Sequence, residues 1–417
     1  MTTHRPPNPG RHGGYAPQRA GHPTALRDVR PWGGDRADIL LADGVIAGIV
    51  EPAERGTWAE TDLDGAGLLA LPSIVNAHAH VDKSWWGLPW QSYGGEGGTD
   101  GRIRHERARR DELGIPGVDI TTRVLTEMVT HGTTLFRSHV DVDPGLGQRG
   151  IEIVREAVAS FDGAIEMEIV AFPQDGVLRR PGVLDLLDDA AAHGAEHIGG
   201  LDPASIDRDP VGQLDGLFAI MERRGCGLDI HLHDPGELGA FQLDLICDRT
   251  EALGLAGRVN IAHGFALAQV DAGRRAELLA RMGELRITFT TVAPLRLPQL
   301  PWRELDAAGV GFAFGTDGIR DLWSPYGTGD TLGIAWQFAR ASSVVTDEDL
   351  TRVLRAATSE AGVYAGRPDH DIAVGAAAHL FLTDAENPMD ALVRTPPRQV
   401  VIGAGRVLHD ARVADRD

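Results

Sequence analysis

Two pairs of histidines, each pair two residues apart, carry the clearest chemical signal in the sequence: His78 and His80 in HAHVDK, and His231 and His233 in DIHLHD. Residues i and i+2 of a β-strand point to the same face, so each pair sets two imidazoles side by side. Neutral imidazole suits Zn²⁺ or Fe²⁺, and a catalytic zinc takes three or more protein ligands and keeps an open position for water. The pattern predicts a catalytic metal site whose ligands are His78, His80, His231 and Asp317.

The elements that must position these residues alternate along the chain. Strand-like segments read GLLALPSIVNA, TTLFRSHVDV, AIEMEIVAFPQ, EHIGGLDP, GLDIHLHD, RVNIAHGF, RITFTTVAP and GVGFAFGTD. Between most of them lie segments such as GIEIVREAVASF, whose apolar residues recur at the spacing of an amphipathic helix. This alternation predicts an α/β fold, a (β/α)₈ TIM barrel, whose active site forms at the carboxyl ends of the strands. Most of these strands end in polar residues, which we expect to converge on one mouth.

The number of metal ions follows from the lysine content. Lys83 is the only lysine among the 417 residues. A carbamylated lysine that bridges two metals would have to lie on the predicted fourth strand, and that segment contains none. We therefore expect one divalent ion per chain, Zn²⁺ or Fe²⁺.

The two ends of the chain predict a second, smaller unit. Short apolar segments with turn signals, such as ILLADGVIAGIV and RQVVIGAGRVLHD, flank the long middle. We expect residues 25–70 and 368–417 to form a small β-sandwich domain, and residues 71–367 to form the barrel. Residues 1–24 are rich in Pro, Gly, Arg and His and lack the apolar core of a signal peptide, so we expect a disordered arm.

Composition excludes several classes of partner. The formal net charge of −20 opposes contact with nucleic acid or with an anionic membrane surface. No apolar run approaches the roughly 20 residues that span a bilayer. The two cysteines, Cys226 and Cys247, do not form a C-x-x-C pair, which fits free thiols in a reducing cytoplasm. We expect a cytoplasmic enzyme with a small-molecule substrate.

Six segments together resemble the amidohydrolase superfamily and, within it, the cytosine deaminase-like branch: HAHVDK, FRSHVDVD, VAFPQDG, DIHLHD, NIAHGFAL and FGTDGIRDLWSPYGTGD. They span about residues 68–335, and AFPQ and D-x-W-x-P-x-G are characteristic of this branch. Cytosine deaminase itself has H-x-x-E on its fifth strand, where this chain has His231 to Asp234 with His233 between them. The combination of H-x-H-x-D-K with H-x-H is more similar to the N-isopropylammelide aminohydrolase type, which removes an alkylamine from a hydroxylated triazine.

The resemblance implies a set of residues around the metal. In that type a lysine, a glutamine and two further histidines surround the ion, and the matching positions here are Lys83, Gln174, His233 and His263. It also implies a homo-oligomer and an aminohydrolase (deaminase) that hydrolyses an exocyclic C–N bond of a pyrimidine- or triazine-like ring through a metal-activated water.

Each of these residues has an expected role in that reaction. His233 would carry the proton to the leaving amine, since an unperturbed imidazole titrates near pH 6.5. Asp234 is the alternative, although a normal pKa near 3.9 makes it a poor acid unless burial raises it. His233 could instead only orient His231. Asp317 would hold the attacking water with its second oxygen, and His263 would stabilise developing negative charge.

Ring recognition is assigned to four side chains. Lys83 would pair with an anionic or carbonyl oxygen of the substrate; the alternative is a salt bridge to Asp82 or Asp143. Gln174 can donate and accept at once, which matches an N–C=O edge, unless it only caps a loop. The last two side chains are Trp323 and Trp86. Their aromatic faces suit a flat heterocycle, although tryptophan also packs in protein cores.

Two other functions remain open on the sequence. A cyclic amide hydrolase of the same superfamily would open a lactam-like ring instead of releasing an amine. A catalytically inactive scaffold would keep the barrel without turnover, although the complete ligand set argues against it.

Overall fold

The computed structural model describes residues 21–414. The predicted disordered arm therefore lies largely outside the described residues. Within the described part, eight parallel strands form a barrel, and a second eight-stranded sheet is built from segments near the two ends of the chain. None of the helices between residues 21 and 414 combines the length and the apolar character needed to cross a membrane.

The strands follow the predicted order along the chain. Five precede the barrel proper: β1 (Ala25–Pro31), β2 (Ala37–Ala42), β3 (Val45–Val50), β4 (Leu63–Asp64) and β5 (Leu69–Pro72). Eight form the barrel: β6 (Ile74–Ala79), β7 (Thr133–Asp141), β8 (Glu166–Phe172), β9 (His197–Leu201), β10 (Gly227–Leu232), β11 (Val259–His263), β12 (Thr288–Thr291) and β13 (Phe312–Phe314). Three follow it: β14 (Leu380–Thr383), β15 (Arg398–Gly403) and β16 (Arg406–Asp410).

Helices follow the barrel strands, as the periodicity predicts. They are α1 (Gly98–Leu113), α2 (Val118–Thr130), α3 (Arg149–Ala159), α4 (Val183–Ala192), α5 (Pro210–Arg224), α6 (Gly236–Ala252), α7 (Ala272–Glu284), α8 (Trp302–Ala307), α9 (Thr331–Ala341), α10 (Asp347–Arg355), α11 (Pro388–Arg394) and α12 (Ala411–Ala414). In α3 the buried residues Ile151, Val154 and Ala157 recur every three positions and face the barrel. All six residues of β10 are buried, because helices cover the outside of the barrel and side chains fill its inside.

The outer sheet joins the two ends of the chain. Its order is β16-β15-β14-β5-β1-β2-β3, and β4 pairs with β1. Both halves contribute to one apolar cluster, which includes Leu26, Ile39, Leu380 and Ile402. The predicted fold class is confirmed: a (β/α)₈ barrel carries a small β-domain made by the terminal segments.

The segment GLLALPSIVNA, predicted as one strand, is two. β5 pairs with β1 and β14 in the outer sheet, whereas β6 begins the barrel after Ser73. The two strands are needed because the chain passes from one sheet into the other at this point. The division into residues 25–70, 71–367 and 368–417 stays a prediction.

The barrel closes at the point where two predicted ligands lie. β6 and the residues after β13 are joined by a parallel bridge between Ala79 and Asp317, and the Asp317 amide donates to the His78 carbonyl oxygen at 3.0 Å. Gly315 makes this approach feasible, because a Cβ there would lie 2.3 Å from the His78 carbonyl oxygen. This closing seam, the contact between β6 and the residues after β13, therefore brings His78 and Asp317 together from opposite ends of the barrel sequence.

Candidate active site

Four predicted ligands meet at the carboxyl ends of β6, β10 and β13. One ligand atom each from His78, His80, His231 and Asp317 lies within 4.8 Å of all the others. His80 Nε2 is 3.3 Å from both His231 Nε2 and Asp317 Oδ1, and His78 Nε2 is 3.7 Å from Asp317 Oδ1. The structure thus brings all four together, and their role as metal ligands stays a prediction.

The surroundings of these rings fit a divalent ion. The three histidines are buried, yet both nitrogens of His78 and the Nδ1 atoms of His80 and His231 have no hydrogen-bond partner within residues 21–414. Buried polar atoms are normally partnered. Burial lowers the pKa values of His80 and His231 well below the ordinary value, so both rings are neutral and can coordinate. Three imidazoles and one carboxylate are a donor set that suits Zn²⁺ or Fe²⁺.

A second group of potential ligands lies deeper in the barrel and consists of His78, His139 and Asp229. His139 Nε2 is 3.3 Å from Asp229 Oδ1. Asp229 already accepts hydrogen bonds from Arg137 at 3.1 Å and from Asn260 at 2.9 Å. Because the guanidinium neutralises this carboxylate and repels a second dication, the group supports the residues above it and does not suit another ion.

Asp202 orients His233. The His233 backbone N–H donates to Asp202 Oδ1 at 2.5 Å, and its Nδ1 lies 2.9 Å from Oδ2. The His233 side chain is 42% exposed, so its ring lines the open side of the site. Burial among protein groups lowers its pKa, but Asp202 raises it more, and the net pKa is above the ordinary value. Asp202 directly follows β9 in GGLDP, and this position after a barrel strand was the one signal that could have identified it.

Asp234, the alternative proton carrier, has a different set of partners. One carboxylate oxygen accepts from the Ser205 hydroxyl, and the other accepts from Gln242 Nε2 at 2.9 Å. The side chain is buried. These bonds occupy both oxygens of the carboxylate.

His263 completes the ring of histidines. Its backbone lies in the left-handed region, with φ of 71°, at the end of β11. The ring centroid is 4.2 Å from that of His233 and 5.2 Å from that of His231. Burial and the neighbouring His233 lower the pKa of His263 well below the ordinary value, so the imidazole is neutral. The structure places it beside the predicted ligands.

Lys83 is buried and already has partners. Its ammonium donates to Gln174 Oε1, and it lies 2.8 Å from Asp141 Oδ1 and 3.9 Å from Glu106 Oε2. Burial lowers the pKa of Lys83, but Asp141, Glu106 and Asp82 together outweigh burial and raise it above the ordinary value. The lysine is therefore charged.

The alternative that paired Lys83 with Asp82 or Asp143 in a salt bridge is wrong. Asp82 accepts the backbone N–H of Asp141 at 2.9 Å, and Asp143 binds Arg110 at 2.6 Å. Asp141 pairs with Lys83 because it is the last residue of β7, the strand next to β6.

The two predicted tryptophans lie in different surroundings. Trp323 donates its indole N–H to Glu106 Oε2 at 2.7 Å, and Lys83 Nζ is 6.0 Å from its ring centroid. Trp86 packs instead against the Arg320 guanidinium, which lies 5.2 Å from the ring centroid. The structure brings Trp323 to Lys83, whereas no aromatic ring contact joins Trp86 to the candidate ligand histidines among the described residues.

Two other residues near the site, Phe172 and Glu106, were not predicted from the sequence. Phe172, in AFPQ, stacks on His231 with ring centroids 4.3 Å apart, and Lys83 Nζ is 5.2 Å from its ring. Glu106 lies in the arginine-rich helix α1, where a charged residue resembles surface. Phe172 could have been found from its position at the end of a barrel strand, whereas no local signal indicated Glu106.

Comparison with known proteins identifies the family. A model described as the amidohydrolase family matches residues 118–414. The chain belongs to the amidohydrolase family. It is a hydrolase that acts on carbon–nitrogen bonds, and the resemblance inferred from the motifs is confirmed.

Three relatives show how far the similarity extends. A crystal structure of N-isopropylammelide isopropylaminohydrolase from Burkholderia multivorans is 39% identical, with a TM-score of 0.86, and the match covers 92% of this chain and 97% of that one. An N-isopropylammelide isopropyl amidohydrolase of Pseudomonas sp. strain ADP is 27% identical over 88% of this chain and 92% of its own length. A 5-methylcytosine deaminase structure from Klebsiella pneumoniae, 24% identical with a TM-score of 0.80 over 93% of this chain and 98% of its own, shows the shared fold.

Proposed function

We propose that this protein is a metal-dependent aminohydrolase that hydrolyses an exocyclic C–N bond of a pyrimidine- or triazine-like ring. The observation that carries the proposal is the convergence of three buried imidazoles and one carboxylate within 4.8 Å at the barrel mouth, next to an oriented histidine. The 39% identical N-isopropylammelide isopropylaminohydrolase supports a triazine-like substrate. The cofactor is one Zn²⁺ or Fe²⁺ ion per chain.

The candidate ligands would be His78, His80, His231 and Asp317. A divalent ion bound there supplies a water of lowered pKa for attack on the ring carbon. The Asp317 side chain is 39% exposed, and its Oδ1 lies closest to His80. Its second oxygen accepts no hydrogen bond from residues 21–414, and it would accept one from the attacking water and aim that water at the ring.

His233 would move the proton from the water to the leaving amine. Asp202 holds its Nδ1, so the Nε2 atom is the one available to the substrate. The Asp202 carboxylate raises the pKa of His233 above its ordinary value, which favours the protonated ring that can donate a proton to the leaving amine. His263, neutral and 4.2 Å from this ring, would donate a hydrogen bond to negative charge that develops on the substrate.

Lys83, Gln174 and Trp323 would hold the ring. Because Lys83 occupies the Gln174 carbonyl oxygen, the Gln174 amide presents its N–H groups to the substrate. The edge of the ring that faces Gln174 therefore offers acceptors, a carbonyl oxygen or an unprotonated ring nitrogen. Trp323 supplies a flat surface beside this edge.

The remaining expectations form part of the same proposal. The partner is a small heterocyclic molecule, and neither nucleic acid nor a membrane is involved, in line with the net charge of −20. Two buried free cysteines fit the cytoplasm. A homo-oligomer is proposed from the resemblance to the family alone.

The test combines metal analysis with a substrate panel. Purified protein is assayed for metal by mass spectrometry and for ammonia or amine release from cytosine, isocytosine, ammelide, N-alkylammelides and creatinine, with chelated protein as control. About one ion per chain with amine release supports the proposal. Ring opening without amine release would instead indicate the cyclic amide hydrolase. Failure to take up metal under any loading condition would contradict both.

A further inference from the structure

Helix α1 carries one acidic residue on its buried side. The buried residues of α1 are Gly101, Ile103, Glu106 and Arg110, and Glu106 is only 5% exposed. A carboxylate is almost never buried without a specific partner, because its desolvation costs free energy. The partners of Glu106 therefore indicate why an acid stands at this position.

Glu106 lies between two residues proposed to hold the substrate. Its Oε2 accepts the indole N–H of Trp323 at 2.7 Å, and the same oxygen is 3.9 Å from Lys83 Nζ. Lys83 follows β6, and Trp323 follows β13. One carboxyl group from α1 thus connects the loops after the first and last barrel strands, and it shares the Lys83 ammonium with Asp141, which is closer at 2.8 Å.

Other contacts hold α1 in place. Arg110 pairs with Asp143 at 2.6 Å. Two further ion pairs join the helix to the segment after β8: Arg107–Asp175 at 3.2 Å and Asp100–Arg179 at 2.7 Å. Because these three pairs do not involve Glu106, the helix has anchors that remain when Glu106 is replaced.

We propose that Glu106 is a positioning residue that fixes the Trp323 indole as a platform for the substrate ring. The inference rests on the proposed function, because Trp323 is the platform only if a flat heterocycle binds there. A tryptophan held by one hydrogen bond to a buried carboxylate has its ring plane defined. Without that bond the ring can rotate about its side-chain torsions, and part of the binding free energy is lost in ordering it.

Substitution of Glu106 by leucine is the first test. Glu106→Leu removes the acceptor and puts an apolar side chain of similar size in the same buried position. We expect KM for the substrate to rise about tenfold with kcat within about twofold, because a platform binds ground state and transition state alike. Glu106→Gln, which keeps an acceptor, should recover part of the loss. Glu112→Gln is the matched control on the same helix, since Glu112 is 67% exposed and, among the described residues, pairs only with Arg109 at 2.9 Å.

A double substitution separates positioning from a general structural effect. In a Trp323→Phe background, Glu106→Leu should raise KM much less than in the unmodified protein, because the group it positions is gone. An equal rise in both backgrounds would overturn the inference. So would a KM for Glu106→Leu that matches the Glu112→Gln control.

An NMR measurement tests the contact without turnover. The indole N–H resonance that disappears in Trp323→Phe belongs to Trp323, and it should move upfield in Glu106→Leu while staying unchanged in Glu112→Gln. If the unmodified protein turns over no ring in the panel, the proposed function fails. In that case an unchanged Trp323 resonance in Glu106→Leu would overturn the positioning role as well.

Discussion

Histidines lie at both ends of the barrel, and their surroundings differ. At the base, His379 Nδ1 is 2.9 Å from the Thr134 hydroxyl, and its Nε2 is 3.2 Å from Glu166 Oε1. His370 Nε2 donates to the Ser73 carbonyl oxygen at 2.8 Å. These groups connect the amino-terminal ends of barrel strands to the segment that leads into the outer sheet.

At the mouth the histidines His78, His80, His231 and His263 are also buried, but their nitrogens are largely without partners. Both nitrogens of His78 and of His263 lack a hydrogen bond to any described residue. His263 and Asp317 also hold backbone conformations with positive φ, 71° and 61°. Unpartnered polar atoms and unusual backbone angles reduce stability, and both are typical of sites that bind a ligand.

The comparison teaches that burial alone does not distinguish the two kinds of histidine. The hydrogen-bond partners do. His370 and His379 bind protein groups and stabilise the fold, whereas both nitrogens of His78 remain available to a metal ion. The base and the mouth should therefore respond differently to the same substitution.

Removal of a mouth histidine should have the largest effect. For His231→Ala we expect metal content to fall and kcat/KM to drop by more than about 100-fold, the upper range for residues that only orient a ligand. The metal-free protein should also lose some stability, because alanine leaves a cavity and removes the stacking on Phe172, so metal content and kcat/KM are the readouts that report the role of His231. His193→Ala, at a side chain that is 73% exposed, serves as control. Full activity of His231→Ala would refute its role as a ligand.

Removal of a base histidine should act on stability. His379→Ala leaves Thr134 and Glu166 without this partner, and we expect the free energy of unfolding to fall by about 2–3 kcal/mol. Chemical denaturation measures this change, and kinetics at 25 °C should show kcat/KM of the folded protein within about twofold of the unmodified value. A large loss of activity with unchanged stability would remove the distinction between base and mouth.

The residues at the base of the barrel should also make a smaller, pH-dependent contribution to the free energy of unfolding. Burial raises the pKa of Glu166, but hydrogen bonds from His379 and Arg367 outweigh burial and lower it to about 2, from an ordinary value of 4.5. As the pH falls below 4.5, the unfolded chain takes up this proton before the folded protein does. The stabilisation is therefore complete above about pH 4.5 and is lost as the pH falls toward 2.

This contribution can be isolated by comparison with Glu166→Gln, which cannot titrate. We expect the difference in unfolding free energy between the two proteins to shrink by about 1–2 kcal/mol between pH 4.5 and 2, allowing for partial exposure of the side chain. A difference that stays constant over this range would show that Glu166 is not a titrating part of the base network.

The sequence predicted much of the site because several residues share one position in the fold, the carboxyl end of a barrel strand. His78, His80 and His231 were found in this way, and Gln174 and His263 were matched through the family motifs. Trp86 was chosen because it closely follows HAHVDK, and Asp234 because it stands where the cytosine deaminase motif H-x-x-E has its acid. The structure gives Trp86 a guanidinium partner and Asp234 a hydroxyl and an amide partner, and the roles of both residues stay predictions.

What the sequence determined by itself is local. A spacing of two places His78 and His80 on one face of a strand, and the alternation of strand and helix patterns implies the barrel, because both depend only on backbone periodicity. Tertiary structure alone decided which distant groups meet. The closing seam joins His78 to Asp317, adjacent strands pair Lys83 with Asp141, and the packing of α1 delivers Glu106 to Trp323. These contacts depend on how the strands and helices pack in three dimensions, and no local sequence pattern predicts that packing.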